Sequence, residues 1–292
     1  MDITIAPVKR PMKPERININ IATIILNILI LGLLYCLFFN EIHLYFTHLD
    51  KASAALFKDI TDNNLPRFRI IWLINYTLLF VGILNFINLK KYQNVDFAKV
   101  MGILGLLAVF VFLSTGLYTL GTVKNAYLYR EQAEYFQRGI FGGLLLRYIS
   151  YALVIGLMYL LNQTKNRFFT ENKDIEKTFD IAVSVTLLWV MSSEMVHWLE
   201  LSDYTQTYKW AISVLFGIFA LGLVSYGISK KKKHVRIAAI VLFVFTLIKL
   251  FAFDLMGLDT IAKTIVLVSL GLLLLTISYV YTKFKDTLLG ED

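Results

Sequence analysis

Glu194 and His197 stand three residues apart inside an otherwise apolar run. At that spacing both side chains leave the same face of a helix. A carboxylate beside an imidazole can relay a proton, serve as a base or supply metal ligands. Two further ionised side chains, Arg147 and Lys249, also sit inside apolar runs. A charge held in hydrocarbon is costly enough to make each such residue a functional candidate. Asp254 follows Lys249 by five residues, roughly 140° around a continuous helix, so the two pair only if the helix ends between them. Arg147, Glu194, His197, Lys249 and Asp254 are the candidate polar cluster. Glu41, His43, Glu200, Asp203 and Asp259 lie where apolar runs give way to polar sequence, and form its outer rim.

The plainer alternative is structural. Arg147 or Lys249 neutralises Glu194 between two helices, or their long stems carry the charges out to the headgroups. Glu194-x-x-His197 is half of a carboxylate-bridged di-metal pattern, which needs a second copy and two more carboxylates. Glu41-Ile-His43 and His48 do not supply that copy, so neither a metal nor a cofactor is expected. The chain has no His-Glu-x-x-His, no phosphate-binding glycine loop and no Gly-x-Ser-x-Gly elbow. Ser192, Ser193 and His197 do not assemble a triad, because consecutive helical residues point about 100° apart.

The elements that position these residues follow from composition. Of 292 residues 57% are hydrophobic and 17% charged, with a mean hydropathy of +0.64. A soluble domain carries about 25% charged residues. The apolar residues fall in blocks long enough to cross about 30 Å of hydrocarbon as helices. Eight spans are expected, at 17–39, 68–89, 97–121, 139–162, 179–199, 209–229, 235–253 and 260–282. They form one all-α, polytopic transmembrane bundle over 17–292, behind a basic tail at 1–16. The first run is too long for a signal peptide and lacks a cleavage site, so it reads as a signal-anchor helix. The single cysteine, Cys36, lies in that block and reads as a lipid-facing or packed thiol. Trp189, near mid-span, reads as a packing residue.

Lys and Arg are distributed unequally between the alternating loops. Eighteen of the 29 fall on the side of the N-terminus and nine on the other, with Arg147 and Lys249 inside spans. Positive residues mark the cytoplasmic side, so both termini are expected inside. The net charge of +8 is then topology signal and attraction to anionic headgroups rather than a nucleic-acid footprint. With this orientation Glu194, His197, Lys249 and Arg147 all lie in the outer half. They would line a polar cavity facing away from the cytoplasm. The inner halves show no comparable set, with Asp180 and Lys99 at the span edges. Asn85, Asn88 and Asn162 are the main inner polar candidates.

The closing stretch reads Val235-Arg-Ile-Ala-Ala-Ile-Val-Leu-Phe-Val-Phe-Thr-Leu-Ile-Lys249-Leu-Phe-Ala-Phe-Asp254-Leu-Met-Gly-Leu-Asp259, and ends in Gly271-Leu-Leu-Leu-Leu-Thr-Ile-Ser-Tyr-Val-Tyr-Thr-Lys. It resembles the C-terminal region of the bacterial predicted-membrane-protein family known as domain-of-unknown-function family 2339. The Ser193-Glu194 step and the Tyr208-Lys-Trp-Ala-Ile-Ser-Val-Leu-Phe-Gly helix fit the same region, about 179–285. The resemblance implies a shared Lys249–Asp254 pattern and no particular activity. Members are usually longer, which implies a short relative, a split subunit or a fragment. The expected protein belongs to a bacterial inner membrane. It is a cell-envelope subunit or scaffold that holds lipid or glycan precursor in an outer polar cavity. The rivals are a transporter or channel using Glu194, His197 and Lys249, and an enzyme acting on a lipid-linked substrate from the outer face. Membrane lipids are the expected partners, with other membrane subunits or further copies of the chain beside them, and no nucleic acid.

Overall fold

The computed structural model describes residues 21–56, 64–128, 141–202 and 208–250, together with scattered helical positions between 260 and 279. Among the described residues the chain is all helix: α1 (Ile21–Leu56), α2 (Leu65–Ile87), α3 (Val95–Val111), α4 (Leu117–Leu128), α5 (Leu146–Phe168), α6 (Lys173–Leu201), α7 (Tyr208–Ser229) and α8 (Lys233–Lys249). Three wide π turns, Asn88–Tyr92, Phe112–Gly116 and Phe141–Leu145, continue α2, join α3 to α4 and lead into α5.

Local sequence explains the chain reversals. Asn88 and Asn94 hold the α2–α3 turn by exchanging hydrogen bonds: Asn88 Nδ2 donates to Asn94 O and Asn94 N to Asn88 Oδ1, each at 3.0 Å. Asn94 then caps α3, its Oδ1 accepting from Phe97 N. Asn172 caps α6 by accepting from the amides of Asp174 and Ile175. Asp174 and Glu176 add negative charge to that first turn, where the helix dipole favours it. The α7–α8 reversal is tighter. Lys231 takes a left-handed φ of 55°, and Lys232 N donates back to Gly227 O at 2.8 Å. Gly227 is needed there, since a Cβ would stand 2.7 Å from Arg236 Cγ.

The core lies between α2, α3, α4 and α5, around Ile71, Leu78, Phe112, Leu146, Val154 and Leu157. A glycine lets α3 and α5 approach: a Cβ on Gly105 would meet Leu161 at 3.0 Å. Helix α1 lies against α2 through aromatic rings. Tyr35 stacks on Tyr76 with centroids 5.4 Å apart, and its hydroxyl is 2.9 Å from Thr77 Oγ1. The outward faces are as apolar as the core: Ile103, Leu107, Phe110 and Ile155 are all exposed. Helices apolar all round belong in lipid.

Five helical stretches are long and apolar enough to span a membrane: Ile25–Ala52, Leu65–Tyr92, Val95–Ala126, Lys173–Leu201 and Ala211–Ser229. Helix α5 carries Arg147 and the Asn162–Gln163 pair, and α8 is described over only 17 residues. Several expectations shift. The first helix does not end near Phe39 but runs on to Leu56, since no Gly or Pro interrupts 40–56 and the residues there favour helix. The third span continues past Gly121 to Leu128. Trp189 is half-exposed and does not fill the core. Cys36 is exposed. Residues 1–16 lie outside the described residues.

Candidate functional site

Helices α4, α5 and α6 bring a set of charged side chains together at one end of the bundle. Arg147, on the first turn of α5, is 4% exposed. Its Nε lies 3.0 Å from Glu194 Oε1 of α6, and its Nη2 donates to Ser193 Oγ at 3.0 Å. Neither Nε nor Glu194 Oε1 has a well-directed hydrogen bond. The contact is therefore charge attraction at close range rather than an aligned N–H···O bond. Tyr148 OH donates to the other Glu194 oxygen at 3.4 Å, and the Arg147 guanidinium lies 5.8 Å from the centre of the Tyr151 ring. Nearly two turns further along α6, Lys124 of α4 pairs with Glu200. From Glu194 to His197 and on to Glu200 each three-residue step moves about 60° around α6, so Glu194 meets α5 and Glu200 meets α4. His197 is 3% exposed and lies within electrostatic reach of both Arg147 and Lys124.

With His197 neutral, two cations meet two carboxylates and the network carries no net charge. That balance makes burial in a low-dielectric bundle tolerable. The hydrogen bonding is less complete. Arg147 Nη1, Tyr151 OH and His197 Nδ1 are buried with no partner. Between two cations His197 is poorly placed as a ligand for a metal cation. No group of three metal-ligating residues is gathered among the described residues.

The other singled-out residues are dispersed. Lys249, half-buried at the end of α8, donates to Ser213 Oγ of α7 at 2.8 Å. Asp203, Asp254 and Asp259 lie outside the described residues. Glu41 is exposed and His43 half-buried, both on α1. Glu200, read from sequence as a rim residue, is a member of the network. Lys124, counted from sequence among the loop cations, is the residue that reading missed. The apolar register Leu117, Leu120 and Val123 continues past Gly121 and carries the helix to it.

A second charged set occupies the opposite end, built from the span-edge Asp180 and residues outside the expected spans. Lys232, in the α7–α8 turn, contacts Glu176 at 2.9 Å and Asp180 at 2.7 Å. His234 Nε2 lies 2.8 Å from the same Asp180 oxygen. Burial alone would push the Lys232 ammonium down, but its bonds to Asp180 and Glu176 outweigh that and raise it. At this same end, Thr164 Oγ1 donates to Asn85 Oδ1 at 2.6 Å and Arg167 donates to Leu89 O at 2.6 Å. These bonds tie α5 to the α2 stretch. Asn85 and Asn88 thus serve helix packing and capping.

A cavity with room for a ligand lies elsewhere. A cleft of about 590 Å³ opens between α1, α2 and the entry to α5, lined by Glu41, Ile42, Tyr45, Phe46, Phe68, Trp72, Gly142 and Leu146. Among the described residues its walls are apolar and aromatic, with Glu41 the one charged group.

A family model described as "Predicted membrane protein (DUF2339)" matches residues 11–284. The chain belongs to this family. The match extends well beyond the C-terminal resemblance and takes in α1 through α8, so the charge network and the cleft both fall within it. The chain is a membrane protein with several apolar membrane-length helices. No curated protein and no solved structure matches it.

Proposed function

We propose that this protein is a non-catalytic component of a bacterial cell envelope that holds a lipid chain in the cleft between α1, α2 and α5. It would sit in the inner membrane with eight spans, both termini inside and the cleft in the outer half. The cation asymmetry of the loops supports that orientation. A reporter fused into the Lys230–Lys233 turn should read the cytoplasmic side, and an external reading would exchange the inner and outer halves for every side chain named above.

The observation that carries the functional reading is the cleft itself. It is large enough for a ligand, yet only one of its eight lining residues is charged. Catalysis would need several polar groups converging on one point. The convergent polar groups of this chain are instead spent on one another between α4, α5 and α6. A proton or ion pathway through Glu194 and His197 is the second reading, favoured by the unpartnered buried atoms of Arg147, Tyr151 and His197.

Native mass spectrometry of the full chain in detergent tests the lipid reading. The wild-type protein should retain phospholipid. Ile42→Trp, which places an indole across the cleft, should lose most of it while keeping the same thermal unfolding temperature. Equal retention by this variant would refute the reading.

A further inference from the structure

We propose that α1 pairs with α1 of a second copy of this chain, the two helices parallel in the membrane, with Asn40 of each donating to Glu41 of the other. This goes beyond the lipid reading and does not rest on it. Of the cleft residues it uses Glu41 alone, since Ile42 and Phe46 turn toward the core.

Helix α1 packs on α2 through Tyr35, Ile42 and Phe46. Its opposite side carries Leu26, Ile30, Leu33, Leu37, Asn40 and Leu44, alternately four and three residues apart, and all six are exposed. That spacing draws one stripe along the helix, and it is the seam of a two-stranded parallel coil. Asn40 and Glu41 straddle the line through Leu37 and Leu44, because successive residues stand about 100° apart. The register of α1 on α2 sets their depth. Tyr35 meets Thr77 and Thr47 meets Arg69, so the helices are antiparallel and Asn40 and Glu41 lie level with Leu73 and Ile74. On α2, Arg69 and Lys90 stand about 30 Å apart at 1.5 Å per residue, which is the thickness of the hydrocarbon. Asn40 and Glu41 are therefore about 6 Å inside it, on the side of α1 away from the bundle, and both are exposed. Neither side chain has a partner among the described residues. An amide and a carboxylate facing lipid at that depth are costly unless a donor and an acceptor meet them. Lipid chains supply neither.

A second copy supplies both. Two copies share one orientation in the membrane, so a two-fold axis along the membrane normal sets their α1 helices parallel. In that packing a side chain at the Asn40 position enters a hole formed by Leu37, Asn40, Glu41 and Leu44 of the second copy. Asn40 Nδ2 then donates to Glu41 of the second copy, and symmetry repeats the bond in the other direction. The two carboxylates stand on opposite flanks of the seam, each beside an amide donor instead of facing one another. Amide side chains hold membrane helices together in this way. A helix of another protein would have to bring the same donor and acceptor to the same level, whereas α1 already carries the pair.

The test uses the full-length protein in liposomes, cross-linked with copper phenanthroline, with subunits counted by single-molecule photobleaching. Leu37→Cys in a Cys36→Ser background should form a disulfide-linked dimer. The native Cys36 is exposed but stands about 80° off the stripe, so the wild type should cross-link far more slowly. Asn40→Leu should raise the dimer dissociation constant, read by dilution in lipid, about tenfold. The changed positions are exposed, so each variant should keep the unfolding temperature of the wild-type monomer. Single subunits at every dilution, cross-linking of Cys36 as fast as the Leu37→Cys variant, or an unchanged dissociation constant in Asn40→Leu overturns the proposal. So does a disulfide from Leu37→Cys to a different protein in native membranes. None of these outcomes alters lipid retention in the Ile42→Trp comparison, so the two readings fail separately.

Discussion

Arg147→Met is the perturbation that probes the charge network most directly. Arg147 has three partners: the Glu194 carboxylate at 3.0 Å, the Ser193 hydroxyl at 3.0 Å and the Tyr151 ring at 5.8 Å. The charged hydrogen bond to Ser193 contributes about 1.5–3 kcal/mol, and the ring contact about 0.5–1 kcal/mol. Loss of the guanidinium also leaves the Glu194 carboxylate without its cation. Breaking a buried pair from one side costs about 3–5 kcal/mol, which already includes part of the other two contributions. Glu194 is 22% exposed, so the lower end of that range is expected. Removing the partner charge as well should restore much of the loss, because an apolar replacement of a whole buried pair is often neutral. The assay is an unfolding free energy measured in bicelles for wild type, Arg147→Met, Glu194→Leu and the double variant. We expect the double variant to be more stable than the sum of the single losses predicts, by at least about 1 kcal/mol. If the single losses add to within about 0.5 kcal/mol, the pair is uncoupled and α5 is held to α6 by something else.

Two smaller perturbations check the packing. Asn75 of α2 is buried and neither amide atom has a hydrogen-bond partner, so Asn75→Leu should leave thermal stability equal or higher, by about 1–2 kcal/mol at most. A clear loss on that change would mean the amide has a role this packing does not reveal. Gly227→Ala would drive a Cβ against Arg236 Cγ and to within 3.1 Å of its backbone nitrogen. The expected loss is about 1–3 kcal/mol, read as a lowered unfolding temperature, and an unchanged temperature would count against so tight an α7–α8 turn.

What the sequence makes legible is governed by range. Apolar blocks of membrane length declare helices because each residue contributes locally, and the ionised residues inside them stand out for the same reason. Arg147 and Glu194 can be singled out one at a time, and they lie together in the fold. Pairing is a longer-range matter. Lys124 reads as a loop cation until α4 is seen to continue to Leu128 and set it against Glu200. Lys232 looks like one lysine in a topology-setting run, and only the tight turn at Lys231 brings it onto Glu176 and Asp180. The cleft has no signature at all, since its walls come from three helices and its residues are ordinary apolar ones.

The wide turn at Phe112–Gly116 carries a consequence for how the charge network of α4, α5 and α6 is encoded. Leu117 N–H donates to Phe112 O, five residues back rather than four. The turn therefore holds one more residue than an α-helical turn would. Each residue is worth about 100° of rotation. The direction in which α4 presents Lys124 is thus fixed by how many residues stand in that turn, independently of what they are. The α3 part of the long helix keeps its own facing, and the α4 part is set like a dial against α6. A one-residue deletion there would leave every charged side chain in the sequence and still turn Lys124 away from Glu200. In this helix a count of residues carries part of the information that is usually looked for in their identities.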